Sequence, residues 1–242
     1  MSPSNPIDPL DTTPAQRDEF VRLFGGGRMK SYDGAAAQSA VPLDSVELYS
    51  YNMALAAAYL GPIHILEVVA RNAIHAQLAA HTRREDWWDS PKIHLVERQQ
   101  NALTEAELKV DKQLNSSRAR TADDVVAALD FGFWCGLLGR GDAQGGAPYE
   151  REIWQPAVRF AFPNHRSNRG DLWQQFNATR TFRNRITHHE PIHTVDLEKM
   201  ATSVTRLISA VSPPMAAWVA KRSRLGYVAK NPPGSSTPLR TF

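Results

Sequence analysis

RNRITHHEPI, residues 183–192, places two arginines, an asparagine, two histidines and a glutamate within ten positions. Residues 179–187 contain no glycine or proline, and Phe182 and Ile186 stand four apart, which predicts an amphipathic helix. Pro191 then ends the helical pattern. Chemistry performed by this chain is therefore expected at this end of the helix.

The spacing of the polar residues indicates a composite site. Asn184 and His188 are four apart and share one face of the predicted helix. Arg183 and His188 are five apart, so they converge only if the last turn loosens or if a second copy of the chain contributes. Two copies facing across a twofold axis meet this need, and isologous dimers are the commonest oligomers. A homodimer is therefore expected.

The rest of the chain also has a helical pattern, without alternating β-rich stretches. Gly61 and Pro62 are expected to separate two helices, and residues 121–138 are expected to form one deeply buried helix. The sequence thus predicts an all-α fold with its core in residues 45–81, 121–138, 171–189 and 196–211. The predicted helices cover residues 14–24, 45–60, 63–81, 92–114, 121–138, 153–162, 171–189 and 196–211.

Composition favours a protein with a substantial core, since 42% of the 242 residues are hydrophobic. The longest apolar run, residues 53–60, is too short to cross a bilayer, and residues 1–10 lack the features of a signal peptide. A cytoplasmic protein without a membrane partner is therefore expected. The single cysteine, Cys135, excludes an internal disulfide, and its apolar neighbours predict a buried thiol.

Basic residues concentrate in two regions, although the formal net charge is only +3 and the sequence pI is near 9.1. Arginines recur through residues 166–185, and residues 215–242 contain no acidic residue. Both regions are compatible with a polyanion, and a solvated face with a solubilising tail is the alternative. The predicted organisation is an N-terminal extension (1–40), a helical domain (41–214) and a basic tail (215–242), in which a short segment around Trp218 leads into a loose stretch rich in Pro, Ser and Gly. The connection at residues 164–170 is expected to line a substrate groove.

The arrangement of arginine, a polar residue, three further residues and histidine is the signature of HEPN domains. RNRITHHEPI itself resembles the Abi-like branch of bacterial abortive-infection proteins. Three upstream stretches are similar to that family's other landmarks, in the same order. They read LYSYNMALAAAYLGPIHILEVVARNAIHAQL (48–78), DFGFWCGLL (130–138) and IWQPAVRFAFP (153–163). The resemblance covers roughly residues 41–213 and implies an all-α, HEPN-like helical bundle with additional helices.

The resemblance also implies an activity and partners. It points to a metal-independent endoribonuclease of an abortive-infection or toxin–antitoxin defence system, which needs no cofactor. RNA is the implied substrate, a second copy of the chain is an implied partner, and a controlling antitoxin made of RNA or protein is another. The alternative is a catalytically inactive HEPN module that binds RNA or a protein.

Arg183, Asn184 and His188 are the candidate catalytic residues. RNA carries its own nucleophile, the 2′-hydroxyl, so cleavage requires a base, an acid and positive charge at the phosphate. His188 suits the base or the acid because imidazole titrates near neutral pH. Arg183 suits stabilisation of the developing charge, and Asn184 can orient His188 or the phosphate. The bland alternative for all three is a polar network that joins helices.

The candidate substrate-binding residues are Arg71, Asn72, Arg185 and His189, and Glu67 and Glu190 are expected to support them. Glu67 and Arg71, four apart, favour an ion pair within one helix; Arg71 or Asn72 reaching the catalytic cleft is the other reading.

Two residues at the end of the motif keep alternatives of their own. His189 is either a second catalytic imidazole or a polar residue that seals the helix end. Glu190 is expected to pair with Arg185 or Arg71. It stands where HEPN proteins silenced by nucleotide attachment carry a tyrosine, which argues against that control. No metal site is expected, because His188, His189 and His193 lack matching cysteines or carboxylates at the usual spacing.

Overall fold

The computed structural model describes residues 13–39, 43–142 and 146–233, and these residues form an all-α fold apart from one short hairpin. The hairpin pairs β1 (Gly141–Asp142) with β2 (Ala147–Pro148) in antiparallel register. Short 3-10 or π turns occupy Trp87–Asp89, Glu150–Trp154 and Val158–Ala161. The α-helices are α1 (Pro14–Phe24), α2 (Gly26–Ala37), α3 (Ser45–Thr82), α4 (Glu97–Leu114), α5 (Ala122–Ala128), α6 (Phe131–Leu137), α7 (Arg169–Thr187), α8 (Leu197–Val211), α9 (Pro213–Arg222) and α10 (Leu225–Lys230).

Helix α3 runs without a break through Gly61 and Pro62, so the prediction of two helices there was wrong. Proline inside a helix removes a hydrogen bond and costs roughly 3 kcal/mol. The helix nevertheless continues because Tyr59 and Ile63, on either side of the proline, are each 1% exposed in the core. Burial of α3 against its neighbours outweighs the local preference to break, while Gly61 itself faces solvent.

The core forms where α3 meets α6, α7 and α8, as the sequence predicted. Helix α3 is the central element, and the helices that carry the candidate motif and the last predicted core segment both pack on it. The most deeply buried side chains at these contacts include Leu55, Leu66, Ile74, Leu78, Trp134, Leu137, Phe176, Leu207 and Ile208.

Residues 121–138 form two short helices, α5 and α6, where one long helix was predicted. Leu129 adopts an extended conformation, and the Asp130 side chain accepts a hydrogen bond from the Phe133 N–H at 2.7 Å, which starts a new helix. Aspartate competes in this way for backbone donors and favours helix starts. The predicted burial is confirmed, since Phe133 and Trp134 are each only 2% exposed.

The N-terminal helices dock on α3 through a second, smaller cluster. Thr13 caps α1 with the reciprocal hydrogen bonds of a capping box, although α1 buries no residue. Gly25, with φ 78°, separates α1 from α2, which begins at Gly26. Met29 and Tyr32 of α2 are fully buried and belong to the same cluster as residues from the start of α3. Residues 1–12, part of the predicted extension, lie outside the described residues.

The C-terminal region is helical as far as Lys230, with the predicted short segment around Trp218 in α9 and a further helix, α10, after it. Val219 of α9 and Val228 of α10 are buried, and α10 contacts α3. These apolar anchors give the basic segment a defined place on the fold. The remainder of the predicted tail, residues 234–242, lies outside the described residues.

In the part of the chain that the structure describes, α3 is long and apolar enough, by length and composition alone, to cross a membrane. The expectation that no apolar segment was long enough depended on a helix break at Gly61 and Pro62, which the structure lacks. The packing of α3 against α2, α6, α7, α8 and α10 gives its apolar character a second explanation.

Candidate active site

The motif forms the C-terminal end of α7, as predicted. Phe182 and Ile186 are 2% and 4% exposed, which confirms the amphipathic pattern. Helix α7 ends at Thr187 with His188 as its C-cap, and His189 adopts the left-handed conformation with φ 57°. The His189 N–H donates to the Ile186 carbonyl at 3.0 Å, and the Glu190 N–H donates to the Arg185 carbonyl at 2.8 Å. This pair of bonds is the Schellman arrangement, so the helix has already ended when the chain reaches Pro191.

His189 contributes its backbone to the structure. Histidine occupies the left-handed region less readily than glycine, although more often than most residues. The His189 carbonyl accepts a hydrogen bond from Arg28 Nη1 at 2.6 Å, which ties the motif to α2. The imidazole is exposed. The backbone of His189 therefore seals the helix end, and any role of its side chain toward RNA stays a prediction.

Arg183 is held by Glu67 of α3, at 3.0 Å between Arg183 Nε and Glu67 Oε1. The sequence predicted that Glu67 would pair with Arg71, whereas the structure gives Glu67 a partner on the neighbouring helix. Arg71 Nε donates instead to Asn72 Oδ1 at 3.1 Å. The side chains of Arg183 and Glu67 are 34% and 23% exposed, so water screens their attraction only partly. Because α3 packs against α7, Glu67 pairs with Arg183 of α7 and not with Arg71, which is four residues away within α3.

The terminal nitrogens of Arg183 remain available. Its Nε atom is the only donor of this side chain that forms a hydrogen bond within residues 13–39, 43–142 and 146–233. A guanidinium fixed through Nε still presents its Nη groups, which match the geometry of a phosphate. Glu67 therefore orients Arg183 without occupying the donors that a phosphate would use.

Asn184 and His188 face away from the core. At 100° per residue they lie roughly opposite Phe182 and Ile186, and His188 is exposed while Asn184 is half-buried. The His188 N–H donates to the Asn184 carbonyl at 2.9 Å, so the last turn is regular. Among the described residues, neither side chain hydrogen-bonds to another group. The structure thus joins the two backbones but does not use the Asn184 amide to orient the His188 imidazole.

Arg183 and His188 do not converge within one chain. In a regular helix, residues five apart differ by about 140° around the axis and by about 7.5 Å along it. Loosening of the last turn was one of two ways to bring them together, and the regular hydrogen bond at His188 removes it. The contribution of a second copy of the chain stays a prediction.

Arg185 and Glu190 belong to the turn that follows α7. Arg185 Nη2 donates to the Pro191 carbonyl at 2.6 Å, and Arg185 Nε lies 3.5 Å from Glu190 Oε2. Of the two partners predicted for Glu190, the structure selects Arg185 because the Schellman turn folds Glu190 back over it. Both interactions of Arg185 fix the shape of this turn, and its predicted contact with substrate remains untested.

Sequence reasoning missed two residues that position the motif. Asn52 of α3 is 5% exposed, and its Oδ1 accepts the Ile192 N–H at 2.8 Å, which anchors the segment beyond the helix. A buried amide in an otherwise apolar helix needs such a partner, so its place in YNMALAAAYL was an available signal. Arg28 carries no comparable signal, because its role depends on the docking of α2.

His193 and Cys135 are structural. The His193 ring lies 5.0 Å from that of Tyr32, between ring centroids, and burial lowers the His193 pKa, with nearby Arg185 adding to the effect. Cys135 is buried as predicted, and burial raises its pKa far above that of a reactive thiol. No group of three or more His, Cys, Asp or Glu side chains in the described ranges could hold a metal ion.

No protein-family model, curated protein or solved structure matches this chain. The end of α7 combines an oriented guanidinium with an exposed imidazole and the half-buried Asn184. Chemically, this set can bind a phosphate, and the imidazole nitrogens can donate or accept a proton.

Proposed function

We propose that this chain is a metal-independent endoribonuclease of the HEPN type. The observation that carries the proposal is the Arg183–Glu67 pair, which fixes a guanidinium beside the motif and leaves its Nη donors open. Structural arginine pairs normally use those donors, whereas phosphate recognition requires them to be available. The resemblance of residues 41–213 to Abi-like HEPN proteins supports the same assignment.

The chemistry uses the 2′-hydroxyl of RNA as nucleophile. One His188 removes the 2′-hydroxyl proton as the oxygen attacks phosphorus, and Arg183 stabilises the charge of the pentavalent intermediate. The bond from phosphorus to the 5′-oxygen then breaks, and a second imidazole donates a proton to that oxygen. The products are a 2′,3′-cyclic phosphate and a 5′-hydroxyl, so no metal-activated water is required.

We propose that the second imidazole is His188 of another copy. Asn184 and His188 lie on the side of α7 that faces away from the core, where a twofold axis would place two motifs across one cleft. Each chain would then supply one imidazole and one oriented arginine. Arg71 and Asn72, which bond to each other one turn beyond Glu67, would line the same cleft and contact the phosphate backbone.

A catalytically inactive RNA- or protein-binding module is the second candidate. It is favoured by one observation, since the His188 imidazole has no partner in the described ranges that would set its tautomer. Under this proposal the motif would bind without cleaving.

Cleavage of labelled RNA by the purified full chain, in excess EDTA, tests the proposal. Wild type should cleave and leave 2′,3′-cyclic phosphate ends, and His188→Ala should lose about 10²- to 10⁴-fold in rate, as removal of a general acid–base does. His64→Ala is the matched control, because His64 is another exposed histidine on a helix outside the motif. If the protein binds the RNA but produces no cleavage ends that depend on His188, the result supports the catalytically inactive module. Activity lost in EDTA and restored by magnesium contradicts the metal-independent mechanism.

A role in bacterial defence, in the cytoplasm and under an RNA or protein antitoxin, belongs to the same proposal. Expression of the wild type in a host without the antitoxin should arrest growth, and Arg183→Ala and His188→Ala should relieve the arrest. Both residues lie at a partly exposed helix end, so replacement should cost little stability. Mutants as toxic as the wild type would remove the motif from the mechanism.

A further inference from the structure

A second groove lies at the other end of α7, remote from the motif. It has a volume of about 860 Å³ and is bounded by the end of α6, the turn at Glu150–Trp154 and the start of α7. The aromatic and positively charged side chains that line the groove are Arg140, Trp154, Arg169 and Trp173. Ser167 to Gly170, at the start of α7 and just before it, also line the groove, and the expectation that 164–170 borders the substrate groove stays a prediction.

Trp173 is poorly buried for so large an apolar side chain. It is 38% exposed, whereas Trp87 and Trp134 in the core are 0% and 2% exposed. The indole lies close to Gly139, where an added Cβ would come within 3.3 Å of Trp173 Nε1. Glycine therefore lets the indole lie along the groove wall. An exposed aromatic ring inside a concave, mostly apolar groove with a few polar groups is typical of binding sites.

The charge of the groove fits a single phosphate. Arg169 is mostly buried and lies 3.1 Å from Glu150, measured between Nη1 and Oε2, so these charges largely offset each other. Arg140 is exposed and forms no ion pair within the described part of the chain. One uncompensated guanidinium beside an exposed indole suits a nucleobase with one attached phosphate.

One face of α7 connects this groove to the motif. Residues 173, 177, 180, 184 and 188 follow each other at spacings of three and four, so their side chains form one line along the helix. Contact within the line is direct at Arg180, whose Nη2 donates to Asn177 Oδ1 at 2.9 Å. Fifteen residues of helix separate Trp173 from His188 by about 22 Å along the helix axis, a distance that a strand of several nucleotides spans.

We propose that this groove binds an unpaired base of the RNA substrate, upstream or downstream of the cleavage site. The base stacks on Trp173, its phosphate contacts Arg140, and the strand follows this line of side chains along α7 to His188. The cleavage step in this picture rests on the proposed function, whereas binding in the groove does not. Single-stranded RNA is the ligand, because bases inside a duplex offer no free face for stacking.

Binding of a fluorescent single-stranded oligoribonucleotide of ten residues to the full-length His188→Ala chain tests the inference without cleavage. Adding Trp173→Ala should weaken binding by about 5- to 150-fold, the range for loss of one base–aromatic stack. Trp173→Phe should bind nearly as well as the parent, because it keeps a stacking surface. Trp218→Ala is the matched control, since Trp218 is 45% exposed with an arginine over its ring, but lies on α9 outside the groove.

Arg140 gives a second variant that carries little risk to folding, because its side chain is exposed. Arg140→Ala should weaken binding equally for all base sequences and lower the slope of log affinity against log salt by about one. If Arg140→Ala leaves the slope of log affinity against log salt unchanged, Arg140 does not contact a phosphate. A blunt duplex of the same sequence should bind less tightly than the single strand, and equal or tighter binding contradicts the stacking.

The outcomes separate this inference from the proposed function. If the wild type does not cleave but Trp173→Ala weakens binding of the single strand, the groove is confirmed and the nuclease is rejected. The groove is rejected and the nuclease stands if three results hold together. The wild type cleaves, Trp173→Ala does not weaken binding by the His188→Ala chain, and Trp173→Ala does not weaken cleavage by the otherwise wild-type chain. Binding of adenosine monophosphate as tight as that of the ten-residue strand would overturn the path along α7.

Discussion

The two ends of α7 differ in how their polar side chains are held. At the motif end, Arg183 is fixed by Glu67, Arg185 is bound to the following turn, and the His189 carbonyl accepts from Arg28. At the groove end, Trp173 and Arg140 remain exposed beside one compensated ion pair. Catalysis requires side chains held in fixed positions, whereas binding of a flexible strand tolerates side chains that are free to move. The contrast fits the two proposals, cleavage of RNA at the motif end of α7 and binding of the strand at the groove end.

The largest expected effect is on the free energy of unfolding, and it compares a buried with an exposed aromatic residue on α7. Phe182 is 2% exposed and packs edge-on against Tyr59 at 4.8 Å between ring centroids. Phe182→Ala should lower the free energy of unfolding by about 3–5 kcal/mol, as large-to-small changes in cores do. Trp173→Ala should cost less than about 1 kcal/mol, because its ring is much less buried. Urea denaturation measures both, and equal losses would mean that Trp173 is a core residue.

The next effect contrasts the two arginines that form ion pairs. Arg183→Ala should lower kcat by about 10²- to 10³-fold, as loss of a donor to the transition state does. Arg169→Ala, at the groove end, should leave kcat unchanged and at most raise KM, since its partner is Glu150. Steady-state cleavage kinetics give both constants. A kcat for Arg169→Ala as low as that for Arg183→Ala would place the chemistry elsewhere.

How far the sequence predicted this molecule depends on whether contacts between helices were needed. The end of α7 and the burial of residues 131–137 followed from local periodicity, because apolar spacing records the buried face. The continuity of α3 through Pro62 did not, since its packing decides against the local signal. The same holds at the site: the Arg183–Glu67 pair joins residues 116 positions apart. Neither spacing nor composition records such a contact.

A smaller effect tests whether the motif end needs a second chain while the groove end does not. Wild type mixed with a threefold excess of His188→Ala, with subunit exchange, should lose about fourfold in activity, because random pairing leaves one dimer in about sixteen fully wild type. A threefold excess of Trp173→Ala should instead raise activity at saturating RNA about fourfold, in proportion to the total number of chains, since its cleavage centre is intact. Activity that tracks wild-type concentration alone, or an active monomer by light scattering, would contradict the shared cleft.

The smallest expected effect concerns His189, where backbone and side chain can be separated. Glycine adopts φ 57° without the steric cost that histidine meets there, and His189→Gly keeps the carbonyl that accepts from Arg28. We expect the free energy of unfolding to rise by about 0.5–1 kcal/mol, because relief of the left-handed strain exceeds the added chain entropy of glycine. A decrease in stability would show that the imidazole has a structural contact beyond the backbone.

Cleavage by the same variant decides between the roles predicted for the His189 side chain. A higher KM with unchanged kcat indicates that the side chain contacts RNA. A kcat reduced about 100-fold or more indicates a second catalytic imidazole, and each chain would then carry both acid and base without help from a partner.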